Sequence, residues 1–174
     1  MEKEKIKELI KSFNAMLSTK ETLKTYENYY SALVSWVNSR EELKGKVEKD
    51  EVLSVLLKLN PHGNIIEEPD ISLEMEKQRL GGLEYESIEE MLMIIRDTLR
   101  DLTAVQTGKY CPICFDGGLR YVMAENEHTN GKELIRECDI CIWTEHLDGR
   151  EWTEGKAKIY PVNSEDIERY LAKM

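Results

Sequence analysis

The sequence predicts an α+β protein with segregated parts: an N-terminal region of four or five helices, a small β-rich domain, and a short C-terminal helix. Three observations lead there. Apolar residues recur every three or four positions up to about Gly108, they alternate every second position beyond it, and two Cys-x-x-Cys pairs flank the start of the alternating stretch and its return. The expected divisions are a helical region at 1–108, a four-cysteine β-rich domain at 109–162 and a terminal helix at 163–174.

The first helix is expected over Ile6 to Leu17, with Ile6, Leu9, Ile10, Phe13 and Leu17 on one side. Three Ser-x-x-Glu capping boxes, Ser18 with Glu21, Ser39 with Glu42 and Ser87 with Glu90, mark candidate helix starts. After Ser18, the stripe Leu23, Tyr26, Tyr30, Leu33, Val34 and Val37 lines a second helix, in which Tyr29, Tyr30 and Trp36 read as core and boundary aromatics. Glu41 to Leu59 reads as a buried helix interrupted by Gly45. Asn60-Pro61-His62-Gly63-Asn64 is a strong turn signal, and loop or extended chain is expected on to Pro69-Asp70. A short helix follows from Ser72 to Leu80, ending at Gly81-Gly82. After Ser87 comes the cleanest stripe, Ile88, Met91, Leu92, Ile95, Leu99 and Leu102, with Gly108 as its stop.

Beyond Gly108, Leu119, Tyr121 and Met123 alternate with Arg120, Val122 and Ala124, and Leu134, Arg136 and Cys138 alternate with Ile135 and Glu137. Asn130-Gly131 between them predicts a two-residue hairpin turn, which sets Arg136 opposite Glu125 as a surface ion pair. Asp148-Gly149 separates an expected strand at Ile142 to His146 from another near Glu151 to Tyr160, and Pro161 ends it. Ser164 then caps a helix carrying Ile167 and Leu171.

Cys111-Pro112-Ile113-Cys114 and Cys138-Asp139-Ile140-Cys141 are the specific constellation of the chain. A Cys-x-x-Cys turn brings two sulfurs to one point with backbone N–H groups aimed at them, and two such turns supply the four tetrahedral ligands of a structural zinc site. The expectation is one structural Zn²⁺ on Cys111, Cys114, Cys138 and Cys141. A thioredoxin-like dithiol is the competing reading of the first pair, but a glycine pair and a strand follow it where a helix should start, and a second pair is left unexplained. Four thiolates leave no open position for water, which argues against metal-assisted hydrolysis.

On these knuckles and the hairpin, the segment from Tyr110 to about Tyr160, under a third of the chain, resembles a zinc ribbon. The resemblance implies a three-stranded antiparallel sheet pinned by the two knuckles. It departs from the usual ribbon in having Phe115 and Ile142, not Gly, after the second cysteine of each pair.

Charge narrows the partners. The 174 residues carry a formal net charge of −10. Between Lys109 and Tyr160 there are seven basic residues against ten acids, and zinc held by four thiolates adds a further −2, which opposes a phosphate backbone or an anionic membrane. Apolar runs such as Met91 to Ile95 meet a charge within a few residues, so no membrane span is expected. The N-terminal Met1-Glu2-Lys3-Glu4-Lys5-Ile6-Lys7 mixes acid with lysine and lacks an apolar h-region, which makes the cytoplasm the default location. Among the histidines, His62 reads as a loop residue, His128 as decoration at the hairpin tip, and His146 as a packing residue near Trp143. No catalytic set can be assembled from them. Glu67, Glu68, Asp70, Glu74 and Glu76 form an acidic cluster, a solvated face or a surface for a basic partner.

The expected function is that of an intracellular acidic protein–protein binding module held by structural zinc, which recognises a basic protein. A narrower version is an immunity, antitoxin or phage-encoded inhibitory protein. The alternative is a nucleic-acid- or transcription-associated zinc ribbon with a basic patch hidden from the average, and a site dispersed over both parts would make it an enzyme instead.

Overall fold

The stripe Ile6, Leu9, Phe13 and Leu17 folds into α1 (Glu2–Leu17), which buries those four side chains. The computed structural model describes residues 2–20, 22, 24–59, 72–81, 85–126, 131–153 and 157–173. Leu23, Glu21, the turn at 60–64 with His62, the acids Glu67, Glu68 and Asp70, Gly82, and the hairpin tip with His128 and Asn130 lie outside them. The chain divides into two compact units, Met1–Leu102 and Thr103–Met174.

In the first unit, α2 (Tyr26–Asn38) is capped by Thr25, whose hydroxyl accepts from the Asn28 N–H at 3.1 Å. Ser18, the expected cap, donates back to the Asn14 carbonyl at 2.8 Å and so ends α1. Ser39 likewise closes α2 by donating to the Trp36 carbonyl at 2.8 Å. The stretch expected as one helix from Glu41 to Leu59 is broken into a 3₁₀ turn (Glu41–Leu43), α3 (Lys44–Val47) and α4 (Glu51–Leu56). Asp50, extended at φ −100° and ψ 94°, accepts from the Leu53 N–H at 3.0 Å and so starts a new helix. The interruption comes at Asp50 and not at Gly45, which lies inside α3.

Ser72 accepts from the Met75 N–H at the start of α5 (Leu73–Gly81). Ser87 accepts from the Glu90 N–H at 3.1 Å at the start of α6 (Ile88–Leu102), while the Glu90 carboxylate takes the Glu86 N–H at 2.7 Å. That is the expected capping box with its return bond moved one residue back. Tyr29, Tyr30 and Trp36 are all buried, Trp36 edge-on to Phe13 with centroids 4.9 Å apart. The Tyr30 hydroxyl donates to the Leu56 carbonyl, which ties α2 to α4.

The second unit is an antiparallel sheet of β1 (Val105–Tyr110), β2 (Gly118–Asn126), β3 (Lys132–Cys138), β4 (Thr144–Glu145) and β5 (Ala157–Pro161), followed by α7 (Ser164–Leu171). The α+β arrangement is the expected one; the sheet has five strands where the ribbon resemblance implies three, and β1 is the strand that the alternation does not show. Helix α6 stops at Leu102, and Gly108 lies within β1 at φ +72°, where the β1–β2 register shifts. β5 returns to β2 instead of continuing beside β4. Its residues pair from Val122↔Pro161 to Asn126↔Ala157, along the edge of β2 whose first half pairs with β1.

The β2–β3 hairpin pairs Glu125 with Lys132 and Tyr121 with Arg136. The turn is longer than the expected two residues, with the Asn126 N–H bonded to the Gly131 carbonyl at 3.0 Å. Arg136 therefore does not face Glu125. It lies opposite Glu145 and forms a buried ion pair at 2.7 Å, while Arg120 and Glu137 form a second at 3.0 Å. Met123 and Leu134 pack with Val162 and Ile167, so α7 covers one face of the sheet. Val122, Ala124 and Ile135 pack with Trp152, Ala157 and Ile159 on the other. Asn163, not Ser164, caps α7, accepting from the Asp166 N–H at 2.7 Å. Among the described residues no helix is long and apolar enough to cross a membrane.

Candidate metal centre

The knuckles are the β1–β2 and β3–β4 connections, so both sit at one end of the sheet. Each is folded by its own backbone. The Cys111 N–H bonds the Gly117 carbonyl at 2.8 Å and the Cys138 N–H bonds the Trp143 carbonyl at 2.8 Å. Within each, the N–H two residues on is aimed at the first sulfur, Ile113 to Cys111 and Ile140 to Cys138, both at 3.4 Å.

This brings Cys111, Cys114, Cys138 and Cys141 together with all four Sγ atoms within 4.8 Å of one another. The close pairs run between knuckles, Cys111 to Cys141 and Cys114 to Cys138, each at 3.6 Å. A disulfide needs about 2.05 Å. A tetrahedron of sulfurs about 2.3 Å from zinc has edges of about 3.8 Å, so the observed spacing fits a metal and not a bridge. Cys111 and Cys138 are buried, Cys114 and Cys141 half-buried, and Leu119 and Trp143 pack around them.

The local fields differ. Backbone N–H groups of Asp116 and then Gly117 hold the Cys114 thiol down at about 7, and burial pushes Cys138 up to about 12.

Gly117 is a participant that the spacing of cysteines does not reveal. A Cβ there would lie 2.5 Å from Cys138 Sγ and 2.7 Å from Asp139 Oδ1. The glycine pair after the first knuckle is its only trace in the sequence. Phe115 and Ile142, after the second cysteine of each pair, both adopt positive φ, 62° and 55°. They hold the left-handed conformation that glycine usually supplies in a ribbon.

His146 stands apart from the sulfurs. Its Nδ1 pairs with Glu133 Oε1 at 2.6 Å, and Trp152 Nε1 donates to the other carboxylate oxygen at 3.4 Å. His146 and Glu133 line an open pocket of about 270 Å³ with Arg150, Tyr170 and Lys173, and among the described residues no serine, threonine or cysteine lines it. Of the acidic cluster, Glu74 is exposed, whereas Glu76 is buried and bound to Arg79 at 2.8 Å, so it is not free to face a partner. Comparison of the chain with protein-family models, curated proteins and solved structures found no match in any of the three.

Proposed function

We propose that the chain is a binding protein whose β-rich unit is held by one structural Zn²⁺ on Cys111, Cys114, Cys138 and Cys141, and which recognises a basic protein partner in a reducing compartment. The observation that carries this reading is the set of four sulfurs within 4.8 Å of one another, with Cys111–Cys141 and Cys114–Cys138 at 3.6 Å. Four thiolates close the coordination sphere, so the ion supplies folding free energy and no Lewis-acid position.

The charge supports the choice of partner. At −10 for 174 residues, the chain attracts cations and repels polyanions, and complementarity of this kind speeds encounter with a basic surface. An immunity, antitoxin or inhibitory protein is the narrower form of the reading. Native mass spectrometry of the chain gently purified from its own host tests it. One zinc with a stoichiometric basic protein is expected. A chain without metal sinks the zinc site, and co-purified nucleic acid released by salt sinks the choice of partner.

A further inference from the structure

Phe115 and Ile142 occupy equivalent places in the two knuckles, and both pair a left-handed backbone with an exposed apolar side chain. Ile142 is β-branched, for which positive φ is a marked outlier. Either feature alone would be relieved by glycine, which tolerates this conformation and exposes nothing apolar. They are the only non-glycine residues with positive φ among those described. Folding therefore does not account for the side chains.

Their surroundings point the same way. Ile113 and Ile140 are also matched, each directly before the second cysteine of its knuckle, and Tyr110 precedes the first knuckle. These five residues are between 59% and 77% exposed; among the described residues the other exposed large apolar side chains are Met75, Met93 and Leu171. Each is the immediate sequence neighbour of one of the four clustered cysteines, and large apolar side chains exposed together at one site mark an interaction surface. Strain and exposure coinciding at two equivalent positions mark a site of use.

We infer that the two knuckle tips, through Ile113, Phe115, Ile140 and Ile142, form a docking surface for a protein segment that presents apolar side chains flanked by lysine or arginine. This rests on the zinc reading for part of its charge. Asp116 and Asp139 are exposed beside the patch, Asp139 Oδ1 lies 4.0 Å from Cys138 Sγ, and the zinc-bound thiolates add −2. Lys109 is the nearby cation in sequence. A second copy would set these charges against their like, while an anionic bilayer or a nucleic acid would meet the same repulsion. An apolar segment with cationic flanks satisfies both parts of the surface.

The experiment is amide NMR on the full zinc-loaded chain titrated with a 15-residue amphipathic Leu/Lys peptide, using the matched Leu/Glu peptide as control. Perturbation confined to residues 110–116 and 139–143 is expected. It should weaken at least tenfold with the Leu/Glu peptide and with the double variant Phe115→Gly/Ile142→Gly, which should keep its zinc. If that variant loses its fold, Ile113→Ser/Ile140→Ser, at positions without positive φ, replaces it with the same expectation. No perturbation by the Leu/Lys peptide, perturbation elsewhere, or equal response to both peptides overturns the inference. So does concentration-dependent self-association through these residues, or tighter binding there of phosphatidylserine vesicles or an oligonucleotide. Zinc content measured on the same samples separates the two readings: a chain without zinc fails the metal site, whereas one zinc without knuckle binding fails only the docking surface.

Discussion

Gly117 approaches Cys138 so closely that a methyl group on it would sit 2.5 Å from the sulfur. The first knuckle therefore closes against the second only because position 117 has no side chain.

Gly117→Ala should push Cys138 out of the sulfur cluster. Zinc held against a competing chelator is expected to fall at least tenfold, whereas Gly45→Ala, with open space around it, should leave zinc unchanged. Metal release followed with a colorimetric chelator reads both, and equal retention in the two variants would refute the close-approach argument.

Removing the metal, or replacing Cys114 or Cys138 by Ser, should unfold the second unit and leave the first. Trp143 packs on the sulfurs, and Tyr121 and Trp152 pack on the sheet, so their near-ultraviolet signals should collapse. The helices of Met1–Leu102 draw on a separate core and should keep most of the far-ultraviolet helical signal. Loss of both signals together would show the units to be one cooperative body.

The buried Arg136–Glu145 pair predicts an asymmetry. Arg136 also donates to the His146 and Leu147 carbonyls at 3.0 and 2.8 Å. Glu145→Leu leaves its charge buried and uncompensated and should cost about 3–5 kcal/mol, while Arg136→Met/Glu145→Leu together should cost less. The exposed Lys132–Glu125 pair at 3.6 Å should be worth under about 1 kcal/mol. Urea unfolding of zinc-loaded variants measures all three, and a double variant as costly as the single would contradict the account.

Alkaline stability should be limited by the first unit's tyrosines. Burial pushes the Tyr30 and Tyr85 phenols up to about 12, and raises Tyr29 too, with Glu76 adding to it. In the unfolded chain they lose their protons near pH 10. The folded state thus binds more protons between about pH 10 and 12, and stability falls as pH rises through that window. Phenolate absorbance should show these three titrating only with loss of helical signal; early titration would place them in solvent.

What was legible in the sequence was periodic or spaced. The Ile88-to-Leu102 stripe and its Ser87 cap give α6, and the Cys-x-x-Cys spacing gives the sulfur cluster, because both depend on nearby residues. Ser18 and Ser39 carry the same local signature as Ser87, yet their hydroxyls bond the carbonyls of the helix behind them. Ser-x-x-Glu does not say which helix end the hydroxyl serves. β1 is not legible in the sequence because Gln106, Gly108 and Lys109 break the apolar alternation, and only its pairing with β2 makes it a strand. The misplaced ion pair has one cause: a longer turn shifts Arg136 from Glu125 to Tyr121, and an arginine read as surface becomes the partner of a buried glutamate.

The return of β5 to β2 sets an order of events during synthesis. Both knuckles are complete by Trp143, whose carbonyl closes the second, so the four sulfurs can come together while the rest of the unit is still being made. Until Ala157 to Pro161 arrives, the Val122-to-Asn126 edge of β2 stays unpaired, and it is an apolar edge able to template strand addition by another chain. A nascent chain stalled before Ala157 would therefore carry both finished knuckles and still be prone to aggregate, with β5 as the closing piece that covers the edge.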